Sequence, residues 1–233
     1  MTADDRATIR KTARLAGGLY LSLLPLGIIS FVYVPSIVLV PNDPAATASK
    51  ILASEWVFRL GAASHLLSQV IVVFMVLALY RIFRPVNADR AMAMVVLALL
   101  CVPISFVAEV NALGAVQILR SSGGVAATSV PFDAQAMHLL SMHRTGVLLA
   151  QVFWALWLIP LATLIFTSGF LPKWLSVPVL VASAGYLLDS SAHILLPGHA
   201  TISQFTAVGE LMLPLWLLVK GVDVSRWQRG TFA

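Results

Sequence analysis

Six long apolar segments divide this sequence, and they constrain its fold more than any other feature. They lie at residues 15–38, 57–80, 91–116, 143–167, 174–195 and 205–220. About 20 apolar residues in a helix cross a hydrocarbon core of about 30 Å, and each segment approaches that length. Lipid offers no partner for open backbone groups, so each segment is predicted to be a helix. We expect an all-α fold, an integral membrane bundle of six transmembrane helices in a single domain, 1–233.

The segment 40–50, with its prolines and serine, predicts a connecting loop.

Charged residues are scarce in this chain. They make up 11% of the 233 residues, whereas soluble domains average about 25%. So little charge cannot cover a water-facing surface, which argues against an ordinary soluble protein. The net charge of +5 does not indicate nucleic-acid binding, because the basic residues are dispersed at the ends of apolar segments and form no stripe. Cys101 is the only cysteine, so no intramolecular disulfide is expected.

The basic residues also predict the orientation of the chain. With six spans, Lys50, Arg59, Arg120 and Arg144 fall on one side of the membrane, and the other 11 of the 15 Lys and Arg residues fall on the opposite side. The positive-inside rule makes the richer side cytoplasmic. Both termini are therefore expected in the cytoplasm, and the protein in the cell membrane as a multi-pass chain. The first apolar stretch is longer than the roughly 7–15 residues of a cleavable signal peptide, which indicates a retained span.

Ionisable residues within or beside the predicted spans gather in their outer halves. They are Arg59, His65, Glu109, His143, Arg144, Asp189, His193 and Glu210. Helical spacing puts Tyr186, Asp189 and His193 on one face of the fifth span. Ionised groups at depth cost about 2.5–3.5 kcal/mol even on a lenient scale, so these side chains are expected to turn inward. We predict a polar, partly ion-paired cavity toward the outer leaflet, with Arg59, Asp189, His193 and Glu210 at its centre.

Three interpretations of this polar cluster stay open. In the first, it is a structural network that ties the outer helix ends together, with two arginines facing three carboxylates. In the second, His65, Asp189 and His193 are metal ligands, and a zinc ion would make the protein a metal-dependent intramembrane hydrolase whose nucleophile is metal-bound water. No HExxH motif or cysteine pair accompanies these residues, so the sequence signal for a metal is weak.

The third interpretation is the leading one and is not enzymatic. A pocket of arginine, histidine and carboxylate side chains suits a small anion, a quinone head group or protons, and histidine titrates near physiological pH. Two histidines on facing helices would suit haem, but no particular pair is singled out. We therefore expect small-ligand binding, sensing or transport. The expected partners are the lipid bilayer and a small molecule or lipid.

Six stretches follow one another along nearly the whole chain and resemble a known family. They are ARLAGGLYL (13–21), ILASEWVFRLG (51–61), LYRIFRPVN (79–87), SGFLPKWL (168–175), GYLLDSSAHILLP (185–197) and GELMLPLWLLVKGV (209–222). Together they resemble a bacterial membrane family, the domain of unknown function DUF4386. The resemblance implies six hydrophobic helices and carries no activity. Its stretches contain Glu55, Arg59, Asp189, His193 and Glu210, which gives these residues more weight than the rest of the cluster.

Overall fold

The computed structural model describes residues 3–121, 131–196 and 202–229, and these residues form helices and short connections with no strand. The α-helices are α1 (Ala3–Ile28), α2 (Val34–Val38), α3 (Pro44–Ala53), α4 (Glu55–Phe83), α5 (Ala88–Ser121), α6 (Phe132–Leu156), α7 (Leu158–Thr167), α8 (Ser176–Leu195), α9 (Ser203–Thr206), α10 (Met212–Val219) and α11 (Val224–Arg229). A π-helical segment, Ile29–Tyr33, joins α1 to α2. Two 3-10 segments, Lys173–Leu175 and Ala207–Leu211, precede α8 and α10. The prediction of an all-α fold is confirmed for the described residues.

Five helical segments are long and apolar enough to cross a membrane. They are Ala7–Val38, Glu55–Phe83, Ala88–Ser121, Phe132–Thr167 and Lys173–Leu195, and a shorter apolar helix runs over Ser203–Val219. Many large apolar side chains on these helices are exposed, among them Phe74, Val107 and Val110. An apolar surface of this extent is typical of a protein that faces lipid. The chain is a multi-pass membrane protein.

The helices begin earlier than hydropathy predicts, most clearly at α6. That helix starts at Phe132, 11 residues before the predicted start at 143. Residues 132–142 combine good helix formers with Asp133 and His138, and the polar residues hide this extension from a search for apolar runs. Asp133 lies in the first turn of α6, as Asp89 does in α5 and Glu55 in α4. Acidic side chains in a first turn favour helix initiation because they face the unpaired N–H groups.

The prediction of a loop at 40–50 is wrong, because α3 occupies most of it. The Asp43 side chain accepts a hydrogen bond from the Ala46 N–H at 2.9 Å, and Pro44 stands at the first helical position. An aspartate cap followed by proline is a strong helix start. The buried face of α3 carries Ala48 and Ile51. The residues that suggested a loop are therefore those that begin a short helix.

The described helices form two compact units, each made of separate stretches of chain. Unit 1 comprises Met1–Ser22, Val70–Val102 and Leu148–Ala233, and unit 2 comprises Leu23–Gln69 and Pro103–Val147. The core of unit 2 contains a cluster from α2, α3, α5 and α6. Its fully or nearly fully buried members are Val34, Val38, Ala48, Ile51, Ala115, Val116, Leu119 and Ala136. These side chains hold α3 against the ends of the longer helices.

In unit 1, the first helix packs closely against the last apolar helix. A Cβ atom added at Gly17 would lie 2.8 Å from both the Leu218 backbone nitrogen and the Pro214 carbonyl oxygen. Small residues permit such an approach of two backbones in a membrane. Ala13, Ala16 and Tyr20 are buried on the same side of α1. The face of α1 around Gly17 is therefore shaped for contact with α10.

The C-terminal helix α11 has a side-chain cap outside the spans, and the cap predicts a pH effect. The Asp223 Oδ1 atom accepts hydrogen bonds from the Ser225 hydroxyl at 2.6 Å and from the backbone N–H groups of Ser225 and Arg226. The hydrogen bond from Ser225 is the main reason that the pKa of Asp223 is lowered below 3.8, and the charge of Arg226 adds to it. Because the folded pKa is depressed, the cap contributes fully above pH 3.8 and is lost as the pH falls through the lower folded value.

We expect Asp223→Ala to destabilise α11 by about 1 kcal/mol at neutral pH, as the loss of an N-cap does. The measurement is the hydrogen-exchange protection of the Arg226 amide. Asp223→Asn is the matched control, because asparagine caps as well as aspartate but does not titrate. Protection should fall in acid for the wild type and stay constant for Asp223→Asn. Equal acid sensitivity of the two proteins would contradict the assigned role of Asp223.

Candidate functional site

Three of the predicted polar residues meet in unit 2. His65 lies on α4, Glu109 on α5 and His143 on α6. The Glu109 Oε1 atom is 2.7 Å from His65 Nδ1 and 3.7 Å from His143 Nδ1. The side chains of His65 and Glu109 are 1% and 4% exposed, whereas that of His143 is 25% exposed. The result is a buried carboxyl group between one buried and one partly accessible imidazole, which we call the His–Glu–His cluster.

The hydrogen bonds of this cluster limit where its protons lie. His143 Nδ1 is 3.1 Å from the Ala108 carbonyl oxygen, and a carbonyl only accepts, so this nitrogen carries a hydrogen. The 3.7 Å separation from Glu109 is an electrostatic contact, too long for a hydrogen bond. At 2.7 Å, His65 and Glu109 share one proton, because either the ring donates to a carboxylate or the carboxyl group donates to the ring.

The chain around His65 is packed by the π-helical segment. The Phe31 ring meets the His65 ring edge to face, with 5.1 Å between centroids. The Ser30 hydroxyl donates to the Gly61 carbonyl oxygen at 2.9 Å, one turn before His65 on α4. A Cβ atom at Gly61 would lie 2.9 Å from Val34, so this contact is close. π-helical turns are frequent at functional sites. This one places the Ser30 and Phe31 side chains against α4, the helix that carries His65.

Two further features surround Glu109. Ser105, one turn earlier on α5, is fully buried, and its hydroxyl has no hydrogen-bond partner among the described residues. A Cβ atom at Gly146 would lie 2.8 Å from the Ala108 Cβ atom. This contact holds α6 close to α5 beside His143. Ser105 and Glu109 lie on the same face of α5. A buried hydroxyl group without a partner beside a buried carboxyl group is unusual for a purely structural network.

Unit 1 contains a partly buried carboxyl group, Glu210, with two tyrosine partners. The Tyr20 hydroxyl donates to Glu210 Oε1, and the Tyr186 hydroxyl donates to Oε2 at 3.1 Å. Trp157 packs beside Tyr20 and Trp154 beside Tyr186, with ring centroids 5.8 and 6.1 Å apart. Hydroxyl donors therefore bind both oxygens of Glu210, and aromatic rings flank them. These contacts connect α1, α8 and the segment before α10.

Asp189, also in unit 1, binds backbone N–H groups. Its side chain is 1% exposed. Its two oxygens accept from the Ile202 N–H at 2.9 and 3.1 Å and from the Ser203 N–H at 2.7 Å. These N–H groups stand at the start of the apolar helix Ser203–Val219, where helices leave their first N–H groups unpaired. Asp189 therefore caps the last apolar helix from the end of α8. His193 lies one turn later and is partly buried.

The remaining predicted site residues, Arg59 and Arg144, lie in unit 2 outside the His–Glu–His cluster. Arg59 Nε is 2.6 Å from Glu55 Oε1, and Arg120 Nε is 3.5 Å from Glu55 Oε2. Arg144 is exposed. Arg59 is thus a partner of Glu55, a pairing that its i, i+4 spacing on a helix could have indicated. The expected centre at Arg59, Asp189, His193 and Glu210 is distributed over unit 2 and unit 1.

Sequence reasoning omitted Tyr20 and left the partners of Asp189 unidentified. A tyrosine in the middle of an apolar span was the available signal for Tyr20, since a buried hydroxyl usually has a partner. For a metal site, no three His, Cys, Asp or Glu side chains within 3–121, 131–196 and 202–229 are grouped so that they could hold an ion. The described geometry thus adds no support to His65, Asp189 and His193 as metal ligands.

Comparisons with known proteins identify the family. The family described as "Domain of unknown function (DUF4386)" matches residues 15–221 of this chain. The chain belongs to this family. An "Uncharacterized protein" of Archaeoglobus fulgidus is 32% identical to this DUF4386 protein over 90 residues, which are 38% of this chain and 54% of that protein. The chain thus spans about half the length of that relative. No solved structure matches this DUF4386 protein.

The family match covers every residue of the clusters described above, from Tyr20 to Glu210. The description of DUF4386 states no activity. The function of this DUF4386 protein therefore has to be argued from the chemistry of the clusters. Asp189 and Glu55 contact groups that they hold in place, whereas Glu109 faces two titratable rings, so Glu109 is the stronger candidate for a functional group.

Proposed function

We propose that this DUF4386 protein binds and releases protons at the His–Glu–His cluster, for sensing or transport, and is not an enzyme. The observation that carries the proposal is the buried Glu109 carboxyl group, whose Oε1 atom faces the Nδ1 atoms of His65 and His143. Histidine is the side chain whose ordinary pKa lies closest to neutral pH. A cluster of two imidazole rings around one carboxyl group contains three groups that can take up or release a proton.

The charge balance supports reversible proton binding. An isolated buried carboxylate is costly, and the Glu109–His65 pair is neutral when His65 Nε2 carries a proton in addition to the proton shared with Glu109. A further proton at His143 would make the cluster positive, and loss of the shared proton would make it negative. Among the ion pairs of the described residues, Glu109 is the partner of both rings. His143, at 25% side-chain exposure, offers the exchange route to water.

The proposal includes six spans in one membrane domain, with both termini on the cytoplasmic side of the cell membrane. The helix Ser203–Val219 would be the sixth span. Its length of about 26 Å, at about 1.5 Å per residue, is close to the roughly 30 Å hydrocarbon thickness. The unequal division of basic residues, 11 of 15 on one side, supports the orientation. With this topology the His–Glu–His cluster faces the outer half of the bilayer, as does any polar cavity beside it.

The test is a histidine NMR titration of the whole protein in nanodiscs, from about pH 5 to pH 8. We expect the ring signals of His65 and His143 to change together with pH in the wild type, because both rings face one carboxyl group. In Glu109→Gln the two rings should titrate independently. Glu210→Gln is the matched control, since it removes a hydrogen-bonded carboxyl group of unit 1, and it should leave both histidines unchanged.

Proton flux into vesicles that contain the protein then separates transport from sensing. Flux that is lost in Glu109→Gln supports a carrier, and titration without flux supports a sensor. Ring signals of His65 and His143 that do not change with pH in the wild type would show that the cluster is not a proton site. Purified protein with about one zinc per chain, lost in His193→Ala, would favour the metal-dependent hydrolase instead.

A further inference from the structure

Two arginines in unit 2 share a single carboxylate at the ends of two apolar helices. Glu55 is in the first turn of α4 and Arg120 in the last turn of α5. Arg59 Nε contacts Glu55 Oε1 at 2.6 Å, and Arg120 Nε approaches Glu55 Oε2 at 3.5 Å. One carboxylate neutralises one guanidinium, so the three side chains together keep a charge of about +1. We call Glu55, Arg59 and Arg120 the arginine patch.

The free atoms of the arginine patch suit a planar or tetrahedral anion. Each guanidinium contacts Glu55 through Nε alone, and the Nη groups of Arg59 and Arg120 have no protein partner among the described residues. The two side chains are 41% and 62% exposed. Arginine Nη groups bind phosphate oxygens in pairs, with more directional contacts than an ammonium group makes. An anion therefore has open access to unused donors on two arginines.

Exposed apolar residues lie beside the arginine patch in the sequence. This favours a lipid over a soluble anion as the ligand. Trp56 is 75% exposed, and Leu52 and Leu60 are 40% and 37% exposed. Tryptophan is enriched at the level of lipid headgroups, where one edge is apolar and the other is wet. The exposed leucines, one before Glu55 and one after Arg59 in the sequence, suit contact with acyl chains. Binding of free phosphate would not require them.

We propose that the arginine patch binds the phosphate of an anionic phospholipid whose acyl chains lie against Trp56, Leu52 and Leu60. The excess positive charge favours an anionic headgroup over a zwitterionic one, and the apolar rim favours a lipid over inorganic phosphate. Glu55 contacts the Nε atoms of the two guanidinium groups and offsets part of their charge, which leaves the Nη groups for the ligand. This site is separate from the His–Glu–His cluster, and the proposal does not depend on proton binding.

The experiment compares lipid binding by the full chain in nanodiscs of phosphatidylcholine with and without phosphatidylglycerol, by native mass spectrometry of the lipids retained. We expect the wild type to retain phosphatidylglycerol over phosphatidylcholine. Arg59→Gln and Arg120→Gln should each reduce that preference by about fivefold, the effect of one basic residue near a charged membrane surface. Arg144→Gln, an exposed arginine of the same unit, is the matched control and should change the preference by less than about twofold.

Glu55→Gln distinguishes a lipid site from a purely structural ion pair. Removal of the carboxylate frees both guanidinium groups and raises the local charge, so retention of phosphatidylglycerol should rise, opposite to the arginine variants. If the patch only stabilised the fold, all three variants would lower the melting temperature and none would shift the lipid preference. Equal retention of the two lipids by the wild type would overturn the proposal. Displacement of phosphatidylglycerol by millimolar inorganic phosphate would overturn the assignment to lipid.

Discussion

Asp189→Ala is expected to lower the stability of the protein by about 3 kcal/mol, because two backbone N–H groups lose the buried charged carboxylate that they bind. The N–H groups of Ile202 and Ser203 bind the Asp189 carboxylate at 2.7–3.1 Å. The methyl side chain of alanine offers these N–H groups no acceptor. The start of the last apolar helix should then open first. The measurement is thermal unfolding in detergent, where a loss of this size corresponds to a fall in melting temperature of roughly 5–10 °C.

Asp189→Asn and His193→Ala are the controls for this result. Asparagine keeps one acceptor oxygen in place and presents an amide group where the second oxygen stood, so we expect an intermediate loss of stability. His193→Ala leaves the cap atoms of Asp189 intact and should cost less than Asp189→Ala. An Asp189→Ala protein as stable as the wild type would show that Asp189 is not the anchor of the last apolar helix.

Gly17→Ala is expected to destabilise unit 1 by about 2–3 kcal/mol, in the range of overpacking a tight contact. The added Cβ atom would meet the Leu218 nitrogen and the Pro214 carbonyl oxygen at 2.8 Å. Both are backbone atoms, so a rotamer change cannot relieve the contact and α10 must move away from α1. The measurement is again thermal unfolding of the purified protein.

Gly18→Ala is a matched control for Gly17→Ala. The nearest atom to its Cβ would be Leu218 Cδ1 at 4.0 Å, an ordinary contact. Alanine is a better helix former than glycine by about 1 kcal/mol, so this variant should be neutral or slightly more stable. Similar losses in both variants would mean that the effect does not come from the contact of Gly17 with α10. In Gly17→Ala, the hydrogen bond from Tyr20 to Glu210 should also weaken, because Tyr20 lies one turn after Gly17.

The spans were predictable because a run of apolar residues is a local property of the sequence. Five of the six predicted segments are helices long enough to cross a membrane. The start of α6 at Phe132 and the whole of α3 were not predictable from hydropathy, because these helical turns carry polar residues. Asp43 and Pro44 form a helix start signal for α3, but the same residue types are also common in loops.

The candidate site was predictable by residue type and only partly by pairing. Carboxylates and histidines stand out in apolar spans, so Glu109, His65 and His143 were found. Which of them touch depends on the rotation and depth of three helices, and helical spacing within one span carries no such information. Asp189 accepts from the backbone N–H groups of Ile202 and Ser203, and no residue type reveals a backbone partner. Arg59 was assigned to a central cavity, yet its partner Glu55 stands one turn away on the same helix.

The contact of Gly17 with Pro214 and Leu218 also sets an order of events during synthesis. The two sides of this contact are about 200 residues apart in the chain. At about 5–20 residues per second, the ribosome needs roughly 10–40 s to make the second side after the first. Throughout that interval, the face of α1 that carries Ala13, Ala16 and Tyr20 lacks its final neighbour. Lipid or the insertion machinery must cover this face until the last apolar helix arrives, so a chain truncated before α10 would leave it open.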